Sequence, residues 1–217
     1  MRILITALLL LSSLFNVAVG EPAAAERADY LRAAAQNNIP QLQRSLALGV
    51  PVDSRDKRGR TALLIATHHN AVESARLLIA AGADVNAKDD LQDSPYLYAG
   101  AEGRLEILKM TVAAGADLSS VNRYGGTALT PAAHHGHIEV VRYLLTTEID
   151  IDQINHLGWT ALLEAVILGD GGPTYQQIVA LLLAAGADRS IADPQGRTAL
   201  DNALLRDYSE LIELLQD

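Results

Sequence analysis

The chain has 217 residues, of which 49% are hydrophobic, and its 26 acidic and 17 basic side chains give a net charge of -9. An acidic surface of this kind repels phosphate backbones, so nucleic acid is excluded as the expected partner. The sequence contains no cysteine, so the fold cannot rely on disulfide bonds.

Residues 1–20 are typical of a secretory signal peptide. Met1 and Arg2 precede an apolar run, and the small residues Ala18 and Gly20 end the segment. We therefore predict cleavage after Gly20 and export of the remainder. The alternative is a retained membrane anchor, which normally needs about 20 apolar residues. The run is interrupted by polar residues at Thr6, Ser12, Ser13 and Asn16.

The destination of the exported chain is expected to be a bacterial periplasm, with secretion as the alternative. The chain has neither cysteine nor an Asn-x-Ser/Thr acceptor site, so nothing marks passage through an oxidising, glycosylating pathway. No stable membrane insertion is expected once the signal peptide has been removed.

Two short patterns recur along the rest of the chain in one register. A Thr-x-Leu pattern, degenerate once, begins at Thr61, Ser94, Thr127, Thr160 and Thr198. A Gly-Ala-Asp pattern, also degenerate in places, begins at Gly49, Gly82, Gly115, Glu148 and Gly186. Both sets are spaced by 33, 33, 33 and 38 residues. Two independent markers with one spacing indicate an array of repeated units.

A 33-residue period with these patterns resembles the ankyrin repeat, and the resemblance covers residues 24–217. It implies that residues 21–217 form an all-α solenoid of about six helix-turn-helix units with β-hairpin-like fingers. The family's Thr-Pro-Leu-His motif is altered here, because four repeats have alanine in place of proline and none keeps the histidine. The predicted units are 24–55, 56–88, 89–121, 122–154, 155–192 and 193–217.

Each unit is expected to contain a finger, an inner helix, a turn and an outer helix. The first unit has its helices at 28–35 and 39–48, and the second has a finger at 53–60 and helices at 61–68 and 72–81. The Thr or Ser that opens each Thr-x-Leu pattern is expected to cap an inner helix by accepting a backbone N–H. The glycine of the second pattern is expected to end the outer helix in the left-handed conformation.

Two irregularities are expected in the array. Glu148 stands where the other units have glycine, so the outer helix of the fourth unit should have the weakest exit. The 38-residue interval indicates five inserted residues between the helices of the fifth unit, at 169–174. There Thr174 and Gln177 resemble a capping box that restarts a helix. The glycine-rich loop matches no phosphate-binding pattern, so a surface insertion is predicted.

Six histidines are the residues that could bind a metal or haem. They are His68, His69, His134, His135, His137 and His156. Adjacent helical residues point about 100° apart, so neither His-His pair chelates an ion as an i, i+4 pair would. We interpret the histidines as solvated residues, with metal or haem handling by the two pairs as the alternative. Because no nucleophile is paired with an oriented base, neither an enzyme nor a cofactor is expected.

The positions that the repeat does not need are the finger tips and the exposed ends of the inner helices. Trp159 stands where other repeats have arginine, aspartate or glycine, so we expect it to be exposed. Clustered exposed apolar side chains are typical of binding sites. The alternative is that Trp159 lies flat over Leu157 as local packing. The predicted partner-binding residues are Tyr124, Leu157, Trp159, Ile154, Leu91, Arg58 and Arg60.

The leading functional hypothesis is a non-enzymatic, exported scaffold that binds another protein through its fingers and concave inner-helix face, in support of an enzyme or envelope component. The interaction role is what the ankyrin resemblance implies. The sequence itself indicates the export and the candidate face. The alternative is a periplasmic protein that handles a metal or haem through the paired histidines.

Overall fold

The computed structural model describes residues 24–216, which form twelve α-helices in six pairs, each with an inner and an outer member. The inner helices are α1 (Ala24–Ala35), α3 (Ala62–His68), α5 (Pro95–Ala101), α7 (Leu129–His134), α9 (Ala161–Ile167) and α11 (Ala199–Leu204). The outer helices are α2 (Ile39–Ala47), α4 (Val72–Ala80), α6 (Leu105–Ala113), α8 (Ile138–Leu144), α10 (Pro173–Ala184) and α12 (Ser209–Gln216). The predicted all-α solenoid is confirmed.

The predicted signal peptide at 1–20 lies outside the described residues, so its cleavage stays a prediction. The first inner helix begins at Ala24, four residues before the predicted start at Ala28. Across residues 24–216, every helix falls short of the length and apolar character that a membrane span requires.

The helices are stable through contacts between neighbouring units. Each inner helix packs against the next inner helix, each outer helix against the next outer helix, and the two helices of a unit against each other. Isolated helices of this length do not persist in water, because even about 12–15 residues are marginal. Fully buried leucines at equivalent positions, such as Leu63, Leu129 and Leu162, join the units into one core. The array is thus held together unit by unit along its length.

Four of the five predicted inner-helix caps are confirmed. The hydroxyl oxygens of Thr61, Ser94, Thr160 and Thr198 each accept the backbone N–H three residues further on. In the last unit the Asp201 carboxylate also accepts a hydrogen bond from the Thr198 backbone N–H, which completes a capping box. These hydrogen bonds satisfy N–H groups that have no partner inside the helix.

The prediction is wrong for Thr127, which does not cap α7. This helix begins at Leu129, and the buried hydroxyl of Thr127 has no hydrogen-bond partner. Pro131 has no N–H to donate to the Thr127 carbonyl, which accounts for the late start of the helix, although the Thr130 N–H that a capping hydroxyl would bind is still present. The backbone N–H of Thr127 donates to the side chain of Gln153, at 3.2 Å.

The outer helices end as predicted, with one shortened exception. Gly49, Gly82, Gly115 and Gly186 have φ angles of 86°, 87°, 89° and 95°, in the left-handed region that glycine tolerates. Glu148 does not adopt this conformation, and α8 ends at Leu144, two residues before the equivalent point in α4 or α6. The fourth unit therefore lacks the helix exit that the other long outer helices share.

The five inserted residues of the fifth unit divide between a turn and a helix. Two lengthen the turn after α9, and three extend α10, which has 12 residues where α4 and α6 have 9. The predicted capping box is wrong, because Gly172 caps this helix and Pro173 opens it, so that Thr174 lies inside. Tyr175, in the added helical turn, donates its hydroxyl to the carbonyl of His134 at 2.8 Å.

Each finger is closed by an aspartate or asparagine that the sequence analysis did not single out. Its backbone N–H donates to the carbonyl four residues on, and its side-chain oxygen accepts backbone N–H groups two and four residues on. These residues are Asp56, Asp89, Asn122, Asn155 and Asp193. They recur with the period of the array, so the sequence could have revealed them. In the described part of the chain the fingers form no strand, only one isolated bridge between Arg55 and Thr61.

Candidate partner-binding surface

The tips of four successive fingers are occupied by predicted binding residues. Arg58, Leu91, Tyr124 and Leu157 each follow the finger-closing residue by two positions and are exposed. Tyr124 is 55% exposed and Leu157 is 51% exposed. Ile154, just before the fifth finger, is exposed as well. The predicted exposure of these five side chains is confirmed, and their role in binding stays a prediction.

The predicted exposure of Trp159 is wrong. The indole is half-buried against the core, and its Nε1 is buried without a hydrogen-bond partner. The backbone N–H of Trp159 donates to Asn155 Oδ1 at 3.1 Å, so the residue closes its finger and does not stand at the tip. Variation of residue type at this position reflects a site that is at most half-exposed and admits side chains of very different length.

Arg60, at the equivalent position of the second unit, is also turned back into its finger. Its guanidinium contacts Asp56 at 2.7 Å, and both side chains are mostly buried. The neighbouring Arg58 is exposed at the tip, and its carbonyl accepts the backbone N–H of Asp90 in the next finger. Of the two predicted basic contacts, Arg58 therefore lies free for a partner, and Arg60 holds the finger together.

A cleft of about 390 Å³ opens on the face made by the third, fourth and fifth fingers and the inner helices α5, α7 and α9. Tyr124 and Leu157 line it, whereas the other five predicted residues do not. The remaining wall combines carboxyl groups, imidazoles and apolar side chains. It includes Asp93, Tyr98, Glu102, Arg123, Pro131, His134, His135, Asn155, Glu164 and Leu168.

Glu164 is the wall residue that the sequence analysis missed. It lies in α9, is only 7% exposed, and accepts a hydrogen bond from the Asn155 amide at 2.7 Å. Burial raises the pKa of Glu164 to about 7, against the opposing effect of that hydrogen bond. The equivalent residues of the other units are Ile65, Tyr98, Pro131 and Asn202. Glu164 is the only acid at this position among these five units, and that difference could have identified it from the sequence.

His134 lies across the cleft from this carboxyl. The distance from His134 Nδ1 to Glu164 Oε2 is 3.8 Å, which is too long for a hydrogen bond. Burial lowers the pKa of His134, and the neighbouring His135 lowers it further. Because burial disfavours the charged form of both groups, they form at most a weak ion pair.

Arg123 is the basic residue of the cleft, and its charge is already engaged. Its guanidinium lies 3.3 Å from the carboxylate of Asp93 and 4.8 Å from the centre of the Tyr124 ring. The second contact has the geometry of a cation–π interaction. Arg123 thereby orients the exposed Tyr124 ring beside the cleft and leaves Glu164 without a strong cationic partner.

The architecture and the comparison with known families agree. A family model described as ankyrin repeats in three copies matches residues 30–122 and again residues 97–193. The chain belongs to the ankyrin-repeat family. Ankyrin-repeat domains generally serve as scaffolds for protein–protein interactions, which gives the exposed finger tips of this ankyrin-repeat protein their general context.

Two solved ankyrin structures are similar to this ankyrin-repeat protein over almost their whole length. An ankyrin repeat domain from Acinetobacter baumannii AYE is 55% identical, with a TM-score of 0.84, and the match covers 86% of this chain and 95% of that one. The ankyrin repeat protein EF0377 is 46% identical, with a TM-score of 0.84, and the match covers 88% of this chain and 97% of that one.

A curated relative matches a shorter stretch. YahD of Escherichia coli (strain K12), described as an ankyrin repeat protein, is 45% identical over 53 residues, which are 24% of this chain and 26% of that protein. The chain thus matches about a quarter of the length of this relative. The likeness supports membership of the ankyrin-repeat family and says nothing of a shared partner.

The histidines of this ankyrin-repeat protein are mostly packed against the scaffold. The His68 ring stacks on Tyr98 with centroids 3.7 Å apart. His135 Nδ1 and His137 Nε2 both lie within hydrogen-bond distance of the Ala101 carbonyl, at 2.6 and 3.1 Å. A carbonyl only accepts, so both nitrogens carry a proton. The interpretation of the histidines as solvated is therefore too simple, since His68, His134 and His137 are half-buried. Within residues 24–216 no three or more His, Cys, Asp or Glu side chains are grouped to hold a metal ion.

Proposed function

We propose that this ankyrin-repeat protein is an exported, non-enzymatic scaffold that binds another protein through its fingers and concave inner-helix face. The family supplies the general interaction role. The observation that carries the specific proposal is the row of exposed finger tips, in which Tyr124 and Leu157 border the cleft.

Physical reasons favour this face over the rest of the surface. Finger-tip side chains contribute no hydrogen bond that closes the finger, because the aspartate or asparagine two positions earlier bonds only to their backbone. Single exposed apolar residues are ordinary, but Tyr124, Leu157 and Leu168 line one cleft together. Aromatic anchors in such clusters carry much of the binding energy in protein interfaces.

The export of the protein rests on the character of residues 1–20 and is tested separately. We expect cell fractionation to place the protein outside the cytoplasm. We also expect N-terminal sequencing of the isolated protein to begin at Glu21. Recovery of an intact Met1 terminus from the cytoplasm would remove this part of the proposal. A periplasmic location is expected to bring an enzyme or an envelope component within reach as the partner.

The binding face is tested by crosslinking in the cells that produce the protein. A photocrosslinking residue replaces Leu157 in one variant and Leu48 in the other. Both leucines are 51% exposed, but Leu48 lies at the end of an outer helix in the first unit. The proposal expects one defined adduct from position 157 and none from position 48. Equal labelling at both positions, or none at either, would contradict it.

The affinity for the captured partner is then measured with alanine variants. The Tyr124→Ala and Leu157→Ala double variant should weaken the complex by about 2 kcal/mol or more, because both side chains are exposed and unneeded by the fold. Leu48→Ala serves as the matched control and should leave affinity unchanged. An unaltered dissociation constant in the double variant would show that the partner binds elsewhere.

A further inference from the structure

We infer that the cleft beside Glu164 binds a basic side chain, arginine or lysine, of the partner protein, with the Glu164 carboxylate as its counter-ion. This inference rests on the proposed function, because it names the chemistry by which the partner of that surface is recognised.

The first support is the buried and poorly satisfied carboxyl group. A carboxylate can accept about four hydrogen bonds, and among the described residues Glu164 receives one, from Asn155. A buried carboxylate with so few partners takes up a proton, as its raised pKa indicates, unless a cation compensates the charge. The ankyrin scaffold does not need the acid, since the other units carry neutral residues at this position. The hydrogen bond from Asn155 needs an acceptor but not a negative charge, so the fold does not explain why this residue is an acid.

The second support is the charge of the cleft as a whole. Three carboxyl groups line it, those of Asp93, Glu102 and Glu164, against the single guanidinium of Arg123. That guanidinium is held by Asp93 at 3.3 Å, and His134 stands 3.8 Å from Glu164 without a hydrogen bond. An incoming cation would thus meet a net negative site that no described side chain neutralises.

The third support is the apolar margin of the same cleft. Leu157 and Leu168 line it and are both substantially exposed. Arginine and lysine bury their methylene stems along apolar surface while their charged ends reach polar partners. Ile154 and Leu91 are further exposed apolar residues outside the cleft. The residues that flank a basic side chain in a partner protein would find contacts there that a small amine could not make.

The test uses the whole protein and a capped amino acid, so it needs no knowledge of the partner. N-acetyl-arginine methylamide is titrated into the ¹³C-labelled protein, and the side-chain carboxyl signal of Glu164 is followed by NMR as a function of pH. N-acetyl-citrulline methylamide, which has nearly the same shape and no charge, is the control ligand. The bound cation should lower the pKa of Glu164, because it favours the ionised carboxyl.

Two variants make the assignment specific. Glu164→Gln keeps an acceptor for the Asn155 amide, so it should fold, and it should weaken binding of the arginine probe by about tenfold or more. Glu106→Gln, which removes an exposed acid on an outer helix, should bind the probe as the wild type does. Citrulline should bind at least about tenfold more weakly than arginine.

Each contrary result has a defined meaning. Binding that is equal in wild type and Glu164→Gln, or absent with arginine, would overturn the inference even if crosslinking at Leu157 still captured a partner. Free agmatine that bound far more tightly than the capped arginine would make the ligand a small amine and overturn the assignment to a partner side chain. Arginine binding without any crosslinked protein would uphold the basic recognition chemistry and remove the proposed scaffold role.

Discussion

The fifth and sixth units contain the same polar pair with the charge on opposite members. In each unit a finger residue meets an inner-helix residue nine positions later: Asn155 with Glu164 at 2.7 Å, and Asp193 with Asn202 at 3.1 Å. The fifth unit places its acid in the helix, whereas the sixth places it in the finger. One hydrogen bond links finger and helix in both cases, so the link does not decide which partner carries the charge.

The pKa values of the two buried acids, Asp193 and Glu164, are shifted in opposite directions. Burial opposes ionisation of Asp193, but hydrogen bonds from the Arg197 backbone, Asn202 and the Arg197 side chain lower its pKa to about 2. Burial dominates at Glu164 and raises its pKa to about 7. The carboxylate of Asp193 therefore has its hydrogen-bond partners within the protein. The carboxyl of Glu164 has only one among the residues that the structure describes, which leaves it available for a ligand. The difference separates a structural carboxylate from one available for binding.

The largest predicted effect comes from giving the fifth unit both acids. Asn155→Asp would bring two carboxyl groups within hydrogen-bond distance, and at pH 8 it should cost on the order of 3 kcal/mol of unfolding free energy. Asn155→Asp combined with Glu164→Gln recreates the arrangement of the sixth unit and should recover most of that loss. Urea unfolding of the two variants provides the measurement. A double variant as unstable as the single one would show that the units are not comparable.

A second prediction tests the charge on Glu164 through the pH dependence of the unfolding free energy. The pKa of Glu164 is raised from 4.5 to about 7, so the folded protein binds more protons than the unfolded chain between these values. Its contribution to stability therefore falls as the pH rises through that window. Glu164→Gln should raise the unfolding free energy at pH 8 by up to roughly 3 kcal/mol, with a much smaller change at pH 4.5. A pH-independent effect in urea unfolding would contradict the buried-charge explanation.

The smallest predicted effect extends the comparison to the fourth unit. Thr160→Ala removes a hydroxyl that caps α9 and should cost about 1 kcal/mol. Thr127→Ala removes an equivalent hydroxyl that has no partner, so only the packing of the buried γ-methyl group is lost and the cost should be smaller than that of Thr160→Ala. Thermal or urea unfolding of the two variants measures the contrast. Equal losses would mean that Thr127 caps its helix after all.

Sequence periodicity was sufficient to predict the helices and most of their ends. The capping hydroxyls and exit glycines act over three or four residues, so their effects can be read locally. Thr127 is the exception, and the sequence supplies only part of its explanation, because Pro131 removes the N–H of the first helical hydrogen bond but not the Thr130 N–H that a cap would bind. Such local features required no knowledge of neighbouring units.

The surface was harder to predict because side-chain direction depends on contacts between segments. The alternation of residue types at Trp159 suggested exposure, yet its side chain packs against the core. Glu164 looked like an ordinary inner-helix position until the cleft placed it among Asp93 and Glu102. Periodicity assigns a residue to a register position, but it does not show which charges remain uncompensated there.

The added turn of α10 has a consequence for moving this binding surface into other repeat proteins. Tyr175 reaches from that turn to the His134 carbonyl, so the lengthened helix braces one wall of the cleft from behind. A graft that transferred only the finger tips and inner helices would carry over the contact residues and lose this brace. The fifth unit would therefore have to be transplanted with its irregular length intact, together with the unit on which it leans.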